Sequence, residues 1–363
     1  MTPKSAIRAE AEALFAAFQA AGAVPVDADI LLPADTLLDL YGEDIRARAY
    51  VTADPLRGEM MLRPDFTVPV VQAHMRDGAE PARYCYLGEV FRKQDSVTTR
   101  PNEYLQVGYE VFDRAHPAQA DAEVFALFHG LLAPLNLQAG IGDIGILMAA
   151  VRGLSTTERR KAALLRHVWR PKRFHALIDR FAGRMPLPAA RVALLERLAV
   201  DAPEALIAGA GAFIGLRDAA DIAARARALV EDAAAAPLDA GEAAALDALL
   251  AIDAAAPEAL RQLQGLGIAA IGPAVGQLAL RLEAMRDRGI DVGTLQFATT
   301  HMQSTLEYYD GFVFSFHGDV GLPAVATGGR YDALTARLGD GASIPAVGGV
   351  IRPGLVARLK GLT

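Results

Sequence analysis

The chain has 363 residues, of which 52% are hydrophobic and 22% are charged, and its mean hydropathy is +0.22. This composition excludes global disorder, and the length is enough for about two to three structural units with a buried core. The 36 basic and 43 acidic residues give a net charge of −7, which disfavours general binding to nucleic-acid phosphates. A single cysteine, Cys85, excludes an intramolecular disulfide and a cysteine-rich zinc site.

The sequence shows neither a signal peptide nor a membrane-spanning segment. Residues 1–12 alternate charged residues with alanine and lack the apolar core of a signal peptide. The most apolar stretch, 206–216, is interrupted by three glycines and is too short to span a bilayer. We therefore expect a soluble protein of the cytoplasm, where a lone thiol stays reduced.

The first 150 residues alternate between predicted helices and short strands. The two longest strands, Tyr84–Arg92 and Glu103–Asp113, are joined by a polar segment over 93–102 and predict an antiparallel hairpin with a long loop. A loop of that length is often functional. In chain order, the spacing of apolar residues predicts a helix over 7–18 that ends near Gly22, strands over 23–32, 49–51 and 60–62, a helix from 67, the hairpin, a helix over 120–132, a strand over 137–144 and a helix over 145–152.

The second half begins with a marked change in composition. Alanine accounts for 25 of the 60 residues in 201–260, which predicts a run of short helices. A helix over 275–288 and strands over 294–298, 309–316 and 322–327 follow. Strands, then helices, then strands again predict an α+β fold with a mainly antiparallel sheet, rather than a Rossmann sheet. The predicted domains are 1–150 and 272–363 as two parts of one core, with a helical insertion over 151–271.

Common cofactor and hydrolase motifs are absent from the sequence. No G-x-G-x-x-G follows a predicted strand, and the P-loop, H-E-x-x-H and G-x-S-x-G motifs do not occur. The seven histidines are scattered without the spacing of metal ligands. We therefore expect neither a cofactor nor a metal ion.

The second arm of the hairpin carries a polar face. Alternation along a strand puts Gln106, Gly108 and Glu110 on one face and the apolar residues between them on the other. Because glycine has no side chain, it could leave a floor on which a small ligand lies between an amide and a carboxylate. The alternative interpretation is that the amide and the carboxylate point to solvent and that Gly108 marks a bulge.

Several motifs, taken in order, resemble the catalytic core of histidyl-tRNA synthetase, a class II aminoacyl-tRNA synthetase. The resemblance covers about residues 30–350 and is carried by Leu-Arg-Pro-Asp-Phe-Thr at 62–67, Phe91-Arg92 with a polar loop to Arg100, Gln106-x-x-x-Glu110, Glu-Tyr-Tyr-Asp-Gly at 307–311, Gly-Gly-Arg-Tyr-Asp at 328–332 and Ala-Val-Gly at 346–348.

This resemblance implies a binding site for L-histidine. In the family, the positions of Gln106 and Glu110 form the floor of the histidine pocket, and Asp65 stands where a glutamate usually meets the α-ammonium group. A tyrosine pair closes over the imidazole. Without the other motifs, that pair could equally be one core and one surface tyrosine. The residues expected to bind histidine are Asp65, Thr67, Arg100, Gln106, Glu110, Tyr308 and Tyr309.

The sequence departs from the synthetases where they bind ATP. Ser304-Thr305 replaces an arginine and a glycine, Leu355 replaces the arginine that clamps ATP, and Gln94 replaces a glutamate, although Arg92 and Arg100 are kept. Losing one such contact to the transition state costs a hundredfold or more in rate, as an order of magnitude. The sequence also ends at Thr363, soon after the last motif, so we expect no anticodon-binding domain and no tRNA substrate.

The sequence keeps the residues of the amino-acid pocket but replaces several that bind ATP. In this combination it resembles the family of regulatory subunits of ATP phosphoribosyltransferase. The resemblance implies a non-catalytic protein of histidine biosynthesis that forms a dimer, assembles with the short-form catalytic subunit, is required for its activity and takes part in feedback inhibition by histidine. Two alternatives stay open at this point. One is a freestanding histidine sensor, and the other is a diverged amino-acid ligase.

Overall fold

The structure is a computed structural model that describes residues 2–41, 44–94, 101–211, 217–301, 308–318 and 322–362. The chain divides into two compact units. The first comprises Met1–Ile146, Ala251–Gly267 and Gly272–Thr363, and the second comprises Leu147–Leu250 and Ile268–Ile271.

All strands of the described residues belong to the first unit. They are β1 (Val24–Pro25), β2 (Leu31–Pro33), β3 (Val51–Asp54), β4 (Gly58–Leu62), β5 (Ala82–Phe91), β6 (Glu103–Phe112), β7 (Gln138–Asp143), β8 (Asp253–Ala255), β9 (Gln296–Ala298), β10 (Phe312–His317), β11 (Ala326–Arg330) and β12 (Ala346–Ile351).

The α-helices follow in chain order. They are α1 (Lys4–Ala20), α2 (Ala34–Tyr41), α3 (Asp44–Arg48), α4 (Thr67–Asp77), α5 (Pro117–Leu132), α6 (Ile144–Arg152), α7 (Glu158–Arg166), α8 (Pro171–Phe181), α9 (Ala189–Val200), α10 (Pro203–Ala208), α11 (Ala219–Ala234), α12 (Ala240–Leu250), α13 (Ala256–Gly265), α14 (Gly272–Asp287), α15 (Asp332–Leu338) and α16 (Pro353–Leu359).

A large mixed sheet is the frame of the first unit. Its strand order is β1-β5-β6-β12-β11-β10-β7-β9-β8, and a second, smaller sheet has the order β2-β4-β3. Neighbouring strands of the large sheet are antiparallel except at β1-β5 and β7-β9. The predicted α+β class with a mainly antiparallel sheet is therefore confirmed, as is the hairpin, which is β5 and β6.

One face of the large sheet, which we call the back face, is covered by α1 and α5. Phe18 of α1 packs on Tyr109 of β6 with ring centroids 5.3 Å apart, and Phe128 of α5 lies 5.5 Å from Phe314 of β10. Val107, Tyr109 and Val111 of β6 are all fully buried. The apolar residues of β6 thus build the core, which leaves the other face of the strand for polar side chains.

The second unit consists of short helices rich in alanine, where small side chains supply little apolar area. A cluster of charges around the buried Arg160 links some of its segments. Arg160 donates from Nε to Asp232 at 2.7 Å and from Nη1 to the carbonyl of Ala236 at 2.6 Å. Arg191 donates to the other oxygen of Asp232 at 2.7 Å.

Residues 251–267 lie in the first unit, although the predicted insertion, 151–271, includes them. The run of helices predicted over 201–260 is wrong at 253–255, because these residues form β8, which pairs with β9. The predicted domain limits otherwise stay a prediction. None of the helices in the described ranges is long and apolar enough to cross a membrane.

Candidate functional site

A cavity of about 1670 Å³ lies over the front face of the large sheet, opposite the back face that packs on α1 and α5. Its floor follows one register row, in which Ser315 of β10 pairs with Thr327 of β11 and Thr327 pairs with Val350 of β12. Gln106 of β6 also lines the cavity. The volume is several times that of an amino acid, so the cavity has room for a small ligand and more.

Asp65 and Thr67 enter the cavity wall from the start of α4. The Pro64 to Phe66 segment turns the chain from β4 into this helix, and Oδ1 of Asp65 accepts a hydrogen bond from the backbone N–H of Thr67 at 3.1 Å. Both side chains are buried. This local bond fixes the carboxylate beside the cavity, where its charge suits a ligand cation.

Gln106 is a buried side chain with unused hydrogen-bonding capacity. It is only 1% exposed, and its Oε1 atom has no hydrogen-bond partner in the described part of the chain. Because a buried amide oxygen without a donor costs free energy, this atom is available to a ligand N–H group. The interpretation that Gln106 and Glu110 point to solvent is wrong, since both are buried.

Glu110 lies behind the cavity wall, within a cluster of hydroxyl groups. Its Oε2 accepts from Tyr331 at 2.6 Å, and its Oε1 accepts from Tyr86 at 3.0 Å and from Thr67 at 3.4 Å. Burial raises the pKa of Glu110 to about 8, although the hydroxyl donors oppose this change. We call Glu110, Tyr86, Tyr331 and Thr67 the hydroxyl cluster. It carries a carboxyl group that titrates near neutral pH.

The prediction that Gly108 leaves an open floor for a ligand is wrong. Gly108 pairs with Tyr86 of β5, and a Cβ atom at position 108 would overlap the phenol ring of Tyr86. The space above the glycine is thus filled by this ring, which also stacks on Phe66 at a centroid distance of 4.4 Å. Gly348 is needed in the same way, because a Cβ there would overlap the Glu110 carboxylate.

The two tyrosines lie at the cavity and near each other. The rings of Tyr308 and Tyr309 are 4.7 Å apart between centroids, and both line the cavity. The hydroxyl of Tyr308 is 3.3 Å from Oγ1 of Thr67, which connects it to the hydroxyl cluster. The structure therefore brings together six of the seven predicted site residues. Arg100 lies outside the described residues, as do Ser304, Thr305 and Glu307.

Arginines and one leucine line the cavity near the C-terminal end of β12. Arg92 donates from Nε to the carbonyl of Pro64 at 2.8 Å. Arg352 follows β12 directly and donates from Nη1 to the carbonyl of Ala324 at 2.6 Å. Leu355 of α16 presents an apolar side chain to the same cavity. Position 355 therefore offers no charge to a nucleotide.

Two histidines flank a serine in the cavity wall. Nε2 of His301 is 2.9 Å from the hydroxyl of Ser315, and Nε2 of His317 is 2.8 Å from the same hydroxyl. Burial, together with His317, lowers the pKa of His301 to about 4, so His301 is neutral at pH 7. In the described ranges no three or more His, Cys, Asp or Glu side chains are grouped as a metal ion would require.

A buried ion network supports the site from the side of the core. Arg281 of α14 donates to Asp121 at 2.7 Å and to Asp143 at 2.9 Å, and Arg330 donates to Asp121 at 2.6 Å. Arg330 also donates to Asp332 at 3.0 Å. Although burial opposes its charge, the carboxylates of Asp121 and Asp332 raise the pKa of Arg330. The network fixes the backbone on both sides of Tyr331.

Sequence reasoning missed Tyr86, Tyr331, His301, Ser315 and His317 as parts of the site. The signal for Tyr86 was the register of the hairpin, which puts it opposite Gly108. Tyr331 lies in the Gly-Gly-Arg-Tyr-Asp motif at 328–332, which carries the family resemblance but does not by itself indicate a role for the tyrosine. The two histidines and the serine come from separate segments, and nothing in their spacing indicated a cluster.

Comparison with solved structures shows that this fold is the class II fold of histidyl-tRNA synthetases. The structure of an ATP phosphoribosyltransferase regulatory subunit/histidyl-tRNA synthetase from Bacillus halodurans superposes with a TM-score of 0.67 at 19% identity, covering 99% of this chain and 79% of that one. A histidyl-tRNA synthetase from Nostoc gives a TM-score of 0.64 at 16% identity, covering 100% of this chain and 74% of the other. A family model described as histidyl-tRNA synthetase matches residues 2–236 and 219–353.

Proteins with similar sequences show which family within this fold the chain belongs to. A protein named ATP phosphoribosyltransferase regulatory subunit from Sinorhizobium medicae is 33% identical, covering 92% of this chain and 93% of its own length. A protein of the same name from Mesorhizobium japonicum is also 33% identical, covering 91% of this chain and 92% of its own. The chain therefore belongs to the family of ATP phosphoribosyltransferase regulatory subunits, within the histidyl-tRNA synthetase-like fold.

Proposed function

We propose that this chain is the regulatory subunit of an ATP phosphoribosyltransferase, that it binds L-histidine in the cavity, and that it catalyses no reaction itself. In this proposal it forms a dimer and assembles with the short-form catalytic subunit. It switches that subunit on and transmits feedback inhibition by histidine. The observation that carries the proposal is the 33% identity to a regulatory subunit over 92% of the chain.

The chemistry of the cavity supports histidine as the ligand. The amino acid carries an ammonium group, a carboxylate and a flat imidazole with two nitrogens. The Asp65 carboxylate and the unpartnered Oε1 of Gln106 can both accept hydrogen bonds from the ammonium group. The paired rings of Tyr308 and Tyr309 offer faces and hydroxyls to the imidazole.

Glu110 supports this site indirectly in the proposal. Its carboxyl group is bonded to Thr67 and, through Thr67, to the hydroxyl of Tyr308, and both of these residues line the cavity. A direct contact between Glu110 and the ligand stays a prediction. In the arrangement observed here, Glu110 holds the orientation of two residues that can touch the ligand.

The absence of charge at Leu355 supports a regulatory rather than a catalytic role. Adenylate formation develops negative charge on a phosphate, which enzymes stabilise with arginine or a metal ion. A leucine in the cavity cannot supply this charge. We expect pyrophosphate exchange with histidine and ATP to stay at background for the purified chain. Robust exchange would contradict the non-catalytic role and favour the ligase alternative.

The experiment that tests the function mixes this chain with the short-form catalytic subunit encoded in the same genome. Size-exclusion chromatography measures assembly, and the rate of phosphoribosyl transfer is measured with and without L-histidine. We expect a stable complex, a gain in rate, and inhibition by histidine. Neither a complex nor a gain in rate would overturn the proposal, and histidine binding without assembly would favour the freestanding sensor.

A matched pair of variants tests whether the cavity transmits inhibition. Gln106→Leu keeps the size of the side chain but removes its hydrogen bonds, so we expect about tenfold weaker inhibition by histidine with assembly intact. Gln262→Leu makes the same change at an exposed position of α13 and serves as the control. Equal inhibition of both variants would remove Gln106 from the ligand site.

A further inference from the structure

Arg352 is a cation in the cavity wall that has no carboxylate partner among the described residues. Its guanidinium is bonded to the carbonyl of Ala324 at 2.6 Å and to the side chain of Tyr104, and neither partner is a carboxylate. None of the ion pairs of the described residues includes Arg352. A charge of the same sign, Arg92, is near enough to oppose the charge of Arg352 rather than balance it.

Partial burial makes this arrangement costly. Removal from water is the main cause of a lowered pKa for Arg352, because the charged form loses hydration without gaining a counter-ion. Two other arginines of this unit, Arg281 and Arg330, are buried with carboxylates on two sides. A guanidinium that lines a cavity without such a partner is suited to an anion supplied by a ligand.

The strand register brings Arg352 next to the residues of the histidine site. Ile351 of β12 pairs with Val107 of the antiparallel strand β6. Continuing this register puts Arg352, which follows Ile351, beside Gln106, which precedes Val107, on the front face. Tyr309 is close enough to interact electrostatically with both the Asp65 carboxylate and the Arg352 guanidinium. The cavity therefore has an acidic group and a basic group near the same aromatic side chain.

From this arrangement we infer that Arg352 binds the carboxylate of the amino-acid ligand, and that it determines specificity for the free amino acid. The ammonium group lies toward Asp65, the carboxylate lies toward Arg352, and the rings of Tyr308 and Tyr309 lie against the side chain. A guanidinium can donate two parallel hydrogen bonds to a carboxylate, which gives orientation as well as charge balance. The inference rests on the proposed function, because it names the contact made by one group of the same ligand.

The experiment compares L-histidine with L-histidinol, which keeps the ammonium group and the imidazole but carries a hydroxymethyl group in place of the carboxylate. Isothermal titration measures both affinities for the wild-type chain and for Arg352→Gln. For the wild type, we expect histidine to bind at least about tenfold more tightly than histidinol, as a charge-assisted pair provides. For Arg352→Gln, we expect the two affinities to agree within about twofold.

Two further variants make the result specific. Arg352→Lys keeps the positive charge without the guanidinium fork, so part of the preference for histidine should remain. Arg337→Gln removes an exposed arginine from α15 and controls for the loss of net charge, so its preference should equal that of the wild type. Circular dichroism shows whether each variant is folded. Equal binding of the two ligands by the wild type would overturn the inference even if Arg352→Gln does not fold, and in that case Arg352→Lys supplies the variant comparison.

The possible outcomes separate this inference from the proposed function. If the wild type binds both ligands equally, or if folded Arg352→Gln keeps the full preference for histidine, Arg352 does not bind the carboxylate, and the histidine site stands without it. If the wild type binds neither ligand, the proposed histidine site itself is overturned, and the inference falls with it.

Discussion

The first unit buries two clusters of polar groups, which meet at the adjacent residues Arg330 and Tyr331. Each cluster contains a buried carboxyl group, but the two carboxyl groups have different kinds of partner. Asp121 lies between two arginines, Arg281 and Arg330, so its charge is balanced. Glu110 is surrounded by hydroxyls, and no cation is among its hydrogen-bond partners in the described ranges of the chain. Burial raises the pKa of Glu110 to about 8.

The difference teaches which cluster is structural and which is suited to a ligand. A carboxylate held by two guanidinium groups has its charge balanced and fixes the backbone around it. A carboxyl group held only by hydroxyls can gain or lose a proton at little cost near neutral pH. Its neighbours Thr67 and Tyr308 line the cavity, so a ligand can alter the surroundings of Glu110 but cannot reach the ion network in the same way.

Breaking the ion network should produce the largest effect on stability. Asp121→Ala leaves Arg281 and Arg330 each short of a carboxylate partner in a buried position, so we expect a loss of about 3–5 kcal/mol in the free energy of unfolding. Urea unfolding of the full chain measures this loss. Arg114→Gln, which breaks an exposed ion pair with Glu80, is the control and should cost about 0–1 kcal/mol. Similar losses for both variants would contradict the role given to the network.

The hydroxyl cluster should instead give a pH-dependent effect. With a pKa of about 8, Glu110 is protonated in the folded chain up to about pH 8, whereas its pKa in the unfolded chain is near the ordinary 4.5. Between these values the folded state holds the extra proton, so raising the pH through this window destabilises the wild type by at most about 1.4 kcal/mol per pH unit.

Glu110→Gln tests this sign directly, because the amide cannot titrate. We expect the stability of the wild type, measured relative to this variant by urea unfolding, to fall between about pH 5 and pH 8 and to level off above. Asp310 also has a raised pKa, of about 6, because of burial, but it is present in both chains, so its contribution cancels in the difference. Parallel stability profiles of the two chains would show that Glu110 has an ordinary pKa.

The hairpin and the apolar back face of β6 could be predicted because both are properties of one continuous stretch of sequence. Alternation over 104–112 assigns each side chain to a face, and the back-face residues Val107 and Tyr109 are buried in the core as that pattern requires. The short strand β8 could not be found in the same way. Its residues are mainly alanine, whose preference for helix is overridden by pairing with β9.

The role of Gly108 and the surroundings of Glu110 needed the structure, because both depend on residues from other strands. Whether the space above a glycine is open depends on the side chain opposite, here Tyr86. Tyr331, which donates the shortest hydrogen bond to Glu110, is 221 residues away in the sequence. Alternation along the strand located the polar face, but neither it nor the family resemblance indicated which of its residues face the cavity and which lie behind the wall.

The smallest expected effect on stability comes from removing one hydroxyl of the hydroxyl cluster. It tests whether the hydroxyl donors stabilise the ionised form of Glu110. Tyr331→Phe removes the donor that is 2.6 Å from Oε2 of Glu110. We expect a loss of about 1–2 kcal/mol in the free energy of unfolding at pH 9, where the carboxylate is ionised, and less at pH 6.

The same substitution should move the titration of Glu110 to higher pH, since hydrogen bonds from hydroxyls favour the ionised form and one of them is lost. To measure this displacement, the free energy of unfolding of Tyr331→Phe is followed over pH and compared with that of the double variant Tyr331→Phe/Glu110→Gln, which lacks the titrating group. Tyr84→Phe is the matched control, because its hydroxyl is 3.0 Å from Nδ1 of His74 rather than bonded to Glu110. It should cost a similar free energy at both pH values and leave the Glu110 titration unchanged. A titration displaced equally by both tyrosine substitutions would mean that general loosening of the core, rather than the bond from Tyr331, controls the charge of Glu110.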